Sequence, residues 1–300
     1  MRAVVFDKFG PPEVLRLAEV PDPQAGPGQV RVRVRAAGVQ PFDVGVRAGA
    51  MSHLPVTFPQ TLGQEYAGVV DQVGDGASGW RAGDEVMGST MLAGAAEYVV
   101  VAAENVVAKP PELDFPTAAG LVAAAQTASG ALAELKVVQG ETLLVHAAAG
   151  SVGTVAVQLA RLDGVTVIGT AGPANHDYLR SLGAIPVAYG EGLVERVRAA
   201  APQGVDVVLD AAGRGAIAAS VELVADFDRI GTIVDDAAAA QYGTRVVRAG
   251  RSPHRLAEVV ALAARGDLIM PIRAYPLDEV VAAHRAVEGG HGRGKVVLTL

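Results

Sequence analysis

The stretch "ETLLVHAAAGSVGTVAVQLARL", Glu141 to Leu162, constrains this chain more than any other. A run of apolar and β-branched residues ends at His146, small residues follow, and an amphipathic run opens near Ser151. That order predicts strand, tight turn and helix. The turn reads A-x-G-x-x-G at Ala148, Gly150 and Gly153. Gly150 lets the backbone come close to a pyrophosphate, the amides of Ser151, Val152 and Gly153 face it from the helix start, and the helix dipole favours its negative charge. Gly153 permits close packing of helix on sheet. The glycines alone also fit a plain strand-to-helix turn, and it is their setting that favours a bound dinucleotide.

That setting is a series of strand-helix units. After "FPTAAGLVAAAQTASGALAEL", which reads as a buried helix, strand candidates begin at Thr142, Val165, Ile185, Val205, Arg229 and Thr244. They are apolar on both faces and suit a parallel sheet covered by helices on both sides. From Met1 to about Pro111 the runs are short and alternating, as in "QVRVRVRAAG", where Val30, Val32 and Val34 take one face and Arg31, Arg33 and Arg35 the other, solvated one. This predicts an antiparallel, barrel-like domain, to which the tail "MPIRAYPLDEVVAAHRAVEGGHGRGKVVLTL" returns. The expected fold class is therefore α/β: a β-barrel domain of residues 1–113 and 270–300, and a doubly wound parallel-sheet domain of residues 114–269.

The choice of dinucleotide rests on a missing acid. Enzymes that use NAD carry Asp or Glu at the end of the second strand for the ribose hydroxyls. Here Thr170, Ala171 and Gly172 stand there, with Thr170, His176, Arg180 and Tyr189 placed to surround a ribose phosphate. NADPH is the expected cofactor. For Arg180 the alternative is a solvated helix face, for Tyr189 simple packing, and for His176 a loop surface.

The chain holds 25 Lys and Arg against 32 Asp and Glu, with no dense basic run, which argues against nucleic acid as a partner. It has no cysteine, so disulfides, thiolate nucleophiles and zinc sites that use sulfur are excluded. The first residues lack a signal-peptide core and no run is apolar enough for lipid, so a soluble, cytoplasmic protein is expected, with no membrane partner.

Taken together, "FGPPEVLRL", "AAGVQPFDVGVRAG", "LGQEYAGVV", "GDEVMG", "AEYVVV", "HAAAGSVGTVAVQLA", "VIGTAGPANHDYLRSLGA", "VDVVLDAAG" and "GKVVL" resemble, in order and over nearly the whole chain, the zinc-independent quinone oxidoreductases of the medium-chain dehydrogenase/reductase superfamily. The resemblance implies a GroES-like substrate domain, a Rossmann domain between its two segments, and an active site in the cleft. It places Thr127 near the nicotinamide-phosphate end, Val234 and Asp235 along the nicotinamide ring, and Lys295 near the cleft. It also implies a homodimer paired through "GTRVVRAG".

Departures from the pattern matter as much. Zinc-containing relatives place a cysteine where Val39, Gln40 and Pro41 stand and a histidine where Gln64 stands, so no metal is expected. Quinone oxidoreductases carry Asn at the position of Gln40 and Tyr at that of Gly45. Gln40 keeps an amide for the nicotinamide ribose or a substrate carbonyl, while Gly45 removes a phenol that would donate a proton. Asp43 is the second catalytic candidate, acting through the cofactor ribose, or else a helix cap. Tyr66 and His53 are alternative proton donors, and Glu65 reads as a scaffold carboxylate paired with a first-domain arginine. The expected reaction is hydride transfer from NADPH to a quinone or α,β-unsaturated carbonyl. An enoyl-thioester or polyketide-intermediate reductase, and a non-catalytic NADPH-binding sensor, are the alternatives.

Overall fold

Apolar runs between residues 142 and 246 form a single parallel sheet in the computed structural model, which describes residues 1–51, 54–248, 250–290 and 292–300. The strands are Thr142–His146, Thr166–Ala171, Ile185–Ala188, Val207–Asp210, Ile230–Thr232 and Arg245–Val246. Numbered along this unit, their order across the sheet is 3-2-1-4-5-6, and every pair is parallel. That is the doubly wound order, whose strand direction brings the carboxyl ends of the first and fourth strands together at the switch point. Leu144, Ile168, Val208 and Ile230 are wholly buried in its core, as expected of strands covered on both faces.

The other unit is mainly antiparallel. The long strand Gln29–Val39 pairs with Glu65–Val73, with Tyr98–Ala102 and with the C-terminal strand Lys295–Thr299. The tail thus returns to this unit. A smaller sheet joins Arg2–Phe6 to Arg16–Glu19 and Gln60–Thr61. Val30, Val32 and Val34 point into the core and are at most 2% exposed. Each contributes about 1.5–3 kcal/mol by burial. Of the arginines between them, Arg33 and Arg35 are exposed. Arg31 is half-buried, bonded to Asp71 and stacked over Tyr98.

The units comprise Met1–Ala123 with Ser252–Leu300, and Ala124–Arg251. Both divisions differ from the expected 113/114 and 269/270, for physical reasons. The helix Phe115–Glu134 begins among residues of the first unit, with Gly120 against Ile272 and the stem of Lys295. The helix Pro253–Ala264 packs on the strand Val106–Ala108. Among the described residues no helix is long and apolar enough to cross a membrane.

Two histidines are buried in the neutral state, one in each unit. Burial lowers His146 to about 4, against the opposing charge of Asp210. Burial lowers His284 to about 3, and the charge of Arg47 helps. Unfolding returns both to ~6.5, so below that pH the unfolded chain binds more protons and stability falls as pH drops toward the folded values. Each histidine adds a slope of about 1.4 kcal/mol per pH unit in that window. Replacing His284 by Leu should remove roughly that much of the slope between pH 6 and 4.5 in urea unfolding; an unchanged slope would contradict its burial as a neutral ring.

Candidate functional site

The turn between the strand Thr142–His146 and the helix Ser151–Leu162 is built from backbone constraints. Ala147 has a φ of 54°, the left-handed region that residues with a Cβ seldom enter. Its carbonyl accepts from the Gly150 N–H at 3.0 Å. A Cβ on Gly153 would stand 2.5 Å from that same oxygen, so the third glycine of the motif is needed for helix and turn to meet. Gly150 has an ordinary φ of −71°, and a Cβ there would stand 3.3 Å from the same Ala147 oxygen, so its lack of a side chain keeps the loop uncrowded rather than relieving backbone strain.

Gly150 is the N-cap and offers no side-chain acceptor to the helix. The Thr154 N–H bonds the Gly150 carbonyl at 2.8 Å. The N–H groups of Ser151, Val152 and Gly153 come before Thr154, the first residue whose N–H has an intrahelical acceptor, which leaves them directed out of the turn. An open helix start of this kind fits the pyrophosphate of a dinucleotide.

The other residues expected at the cofactor lie at neighbouring strand ends. Thr170 differs from expectation: it is 2% exposed and its hydroxyl faces inward, 3.3 Å from both the Ala147 N–H and His146 Nδ1. It shapes the loop from beneath, leaving His176, Arg180 and Tyr189 outside. His176 is half-buried, with Nε2 3.2 Å from the Ala171 carbonyl. Arg180 is exposed and pairs with Asp177. Tyr189 is 56% exposed beside Gly172, and its loop is clamped by Arg196, which donates to the carbonyls of Ala188, Tyr189, Gly190 and Glu191.

After the fifth strand, Val234 is 50% exposed and Asp235 caps the helix Asp236–Tyr242 by accepting from the Ala238 N–H at 3.0 Å. Thr232 Oγ1 accepts from both Val234 and Asp235 N–H, and Gly213 packs against the same two residues. Thr127 is half-buried on the helix Phe115–Glu134.

Gln40, Asp43 and Lys295 belong to the antiparallel unit. Asp43 is wholly buried, and its carboxylate accepts from the Gln40 N–H at 2.9 Å and the Gly63 N–H at 3.2 Å, capping the helix Pro41–Ala48. Burial pushes Asp43 up to about 7, while the two N–H groups and the charge of Lys295 hold it down. Gln40 Nε2 is buried without an acceptor among the described residues. Beside Gly45 the space is filled by Met51, whose methyl would lie 2.7 Å from a Cβ there.

Glu65 is fully buried, and its partner is Lys295 rather than an arginine, because the C-terminal strand brings that lysine alongside. Its other oxygen accepts from the Ala123 N–H at 2.6 Å. A Cβ on Gly38 would overlap the Glu65 carboxylate, a requirement that the strand pattern alone does not reveal. Tyr66 is enclosed in the core and burial pushes its phenol up, which makes it a packing residue rather than a proton donor. His53 lies outside the described residues. The sequence has no cysteine, and among the described residues no three His, Asp or Glu side chains converge.

The reading of the sequence missed a buried network beneath the strand ends: His146 between Thr170 and Ser220, and Asp210 accepting from Thr232 Oγ1 and from the Ala212 and Gly213 N–H groups. The available signal was a polar residue closing each of two otherwise apolar strands.

Two family models match the chain: an alcohol dehydrogenase GroES-like domain over residues 26–149 and a zinc-binding dehydrogenase over residues 182–298. Human quinone oxidoreductase is 31% identical over 100% of this chain and 98% of its own length. The spectinabilin polyketide synthase system protein NorB of Streptomyces orinoci is 38% identical over 95% of this chain, which spans 14% of that protein. Among solved structures, the quinone oxidoreductase of Coxiella burnetii superposes with a TM-score of 0.92 at 32% identity, covering 100% of this chain and 99% of that one. The Escherichia coli quinone oxidoreductase complexed with NADPH gives 0.88 at 26% identity, with full coverage of both chains.

The Glu65–Lys295 pair generates a sharp expectation. Lys295→Met strands a buried carboxylate and should cost ~3–5 kcal/mol, whereas Glu65→Gln with Lys295→Met removes both charges and should recover most of that loss. Denaturant unfolding reads both, and equal losses in the single and double variants would contradict the pairing.

Proposed function

Because the chain belongs to the medium-chain dehydrogenase/reductase superfamily, in its quinone oxidoreductase branch, we propose that it is an NADPH-dependent, zinc-independent reductase of quinones or α,β-unsaturated carbonyls. The observation that carries this reading is the uncapped helix start at Ser151, set at the switch point of a 3-2-1-4-5-6 parallel sheet. NADPH is preferred to NADH on two grounds. No carboxylate closes the second strand, and the E. coli relative binds NADPH.

In this reading Ser151, Val152 and Gly153 hold the pyrophosphate through their N–H groups, and His176, Arg180 and Tyr189 hold the ribose phosphate. Thr127, Val234, Asp235 and Lys295 are assigned to the nicotinamide end. The bound cofactor supplies the hydride. Gln40 Nε2, a buried donor in want of an acceptor, stabilises the negative charge that develops on the acceptor's oxygen. Asp43 keeps Gln40 in place through its backbone N–H. No residue is assigned as the proton donor, since Gly45 carries no phenol and solvent meets the need.

A second reading, an enoyl-thioester reductase, is favoured by the 38% identity to a polyketide synthase protein across nearly the whole chain. It shares the cofactor and the polarised carbonyl, and differs in requiring a thioester. Two copies pairing through the edge strand Arg245–Val246 complete the proposal; light scattering should give twice the chain mass of 30.6 kDa, and a monomer would contradict it.

NADPH oxidation should be detected with members of a panel of quinones, enones and enoyl thioesters, and the preferred class separates the two readings. Tight NADPH binding without turnover on any of them would instead mark a cofactor-binding sensor. Gly150→Val should weaken NADPH binding by a factor of about ten or more, the loss of one or two charge-assisted hydrogen bonds. Its melting temperature should fall only slightly, since the φ is ordinary and the close contact a Cβ would make is with the Ala147 carbonyl at 3.3 Å.

A further inference from the structure

His146 is a fully buried, titratable ring with no part in the chemistry proposed above, and its hydrogen bonds have one consistent direction. Ser220 Oγ donates to the Ala216 carbonyl at 2.7 Å, so toward His146 Nε2, 3.0 Å away, it accepts. Nε2 therefore carries the ring proton and Nδ1 is an acceptor. Thr170 must then donate its hydroxyl proton to Nδ1, at 3.3 Å, and its oxygen is left to accept the Ala147 N–H, at 3.3 Å. The Thr170 carbonyl accepts from the next amide, Ala148 N–H, at 3.0 Å. Thr170 thus holds both amides of the turn, and His146 fixes which way its hydroxyl points.

The other groups facing the ring do not compete for this arrangement. Asp210, on the adjacent strand, is the charged group that acts on His146, and its oxygens are taken by Thr232 Oγ1 and by the Ala212 and Gly213 N–H groups. What the chain of bonds holds is Ala147, whose left-handed backbone supplies the carbonyl on which Gly150 and Gly153 close. Resting on the dinucleotide reading of the glycine loop, we infer that His146, as the neutral Nε2–H tautomer, is a positioning residue for pyrophosphate binding, acting through the Thr170 hydroxyl on the Ala147 turn. A dinucleotide meets a loop whose amides are aimed before it arrives, so less binding free energy goes into ordering them.

Two measurements test this. Long-range ¹⁵N–¹H NMR of the wild-type protein reads the tautomer directly: the expected result is a protonated Nε2 and a bare Nδ1, and a proton on Nδ1 would overturn the inference whatever the variants do. Calorimetric titration with 2′-phospho-ADP-ribose, which carries the pyrophosphate and the ribose phosphate without the nicotinamide, compares wild type, Thr170→Val and Thr170→Ser. Val keeps the shape but removes the hydroxyl, and should weaken binding roughly ten- to hundredfold. Ser restores the hydroxyl and should bind within about threefold of wild type. Wild-type binding with an equally tight Thr170→Val defeats this inference alone. Failure of the wild type to bind 2′-phospho-ADP-ribose defeats the dinucleotide reading, and this inference with it.

Discussion

The parallel-sheet unit depends on one residue, Ala147, holding a left-handed backbone between a strand and a helix. For a residue with a Cβ that conformation is unfavourable, so it persists because the surroundings fix it from both sides. Thr170 takes its N–H, and Gly150 donates to its carbonyl. The consequence is local and chemical. The helix Ser151–Leu162 starts shortly beyond, with a glycine where a capping side chain would otherwise sit, and its first amides have no intrahelical acceptor. Strain of this kind at a ligand loop is where preorganisation is expected.

The antiparallel unit solves a different problem, that of burying charge. Glu65 and Lys295 are both removed from solvent, and the carboxylate also takes the Ala123 N–H in the middle of a helix. Each partner leaves the other stranded if lost, and Gly38 must lack a side chain for the carboxylate to fit. Gln40 and Gln64 are amides at positions where zinc-containing relatives were expected to place ligands.

Much of this was legible in the sequence because it follows from patterns of period and of glycine. The six parallel strands, the helix start at Ser151, and the buried valines opposite the arginines are all local signals. What escaped depends on pairs distant in the chain. Thr170 sits at the strand end expected to meet a ribose phosphate, yet His146, 24 residues earlier, turns its hydroxyl inward. Glu65 finds Lys295 because the C-terminal strand lies beside Gln29–Val39, a register that no local pattern encodes. The antiparallel unit includes the first part of the helix Phe115–Glu134 and all of Pro253–Ala264, and helical periodicity does not say which neighbour a helix chooses.

Whether the Ser151 helix start holds a dinucleotide is tested most directly by a crystal structure of the protein with NADPH. Pyrophosphate oxygens should lie within hydrogen-bond distance of the Ser151, Val152 and Gly153 amides, about 2.7–3.2 Å, with Ala147 still left-handed beneath them. A dinucleotide bound elsewhere, or a pyrophosphate that leaves those amides to solvent, would contradict it.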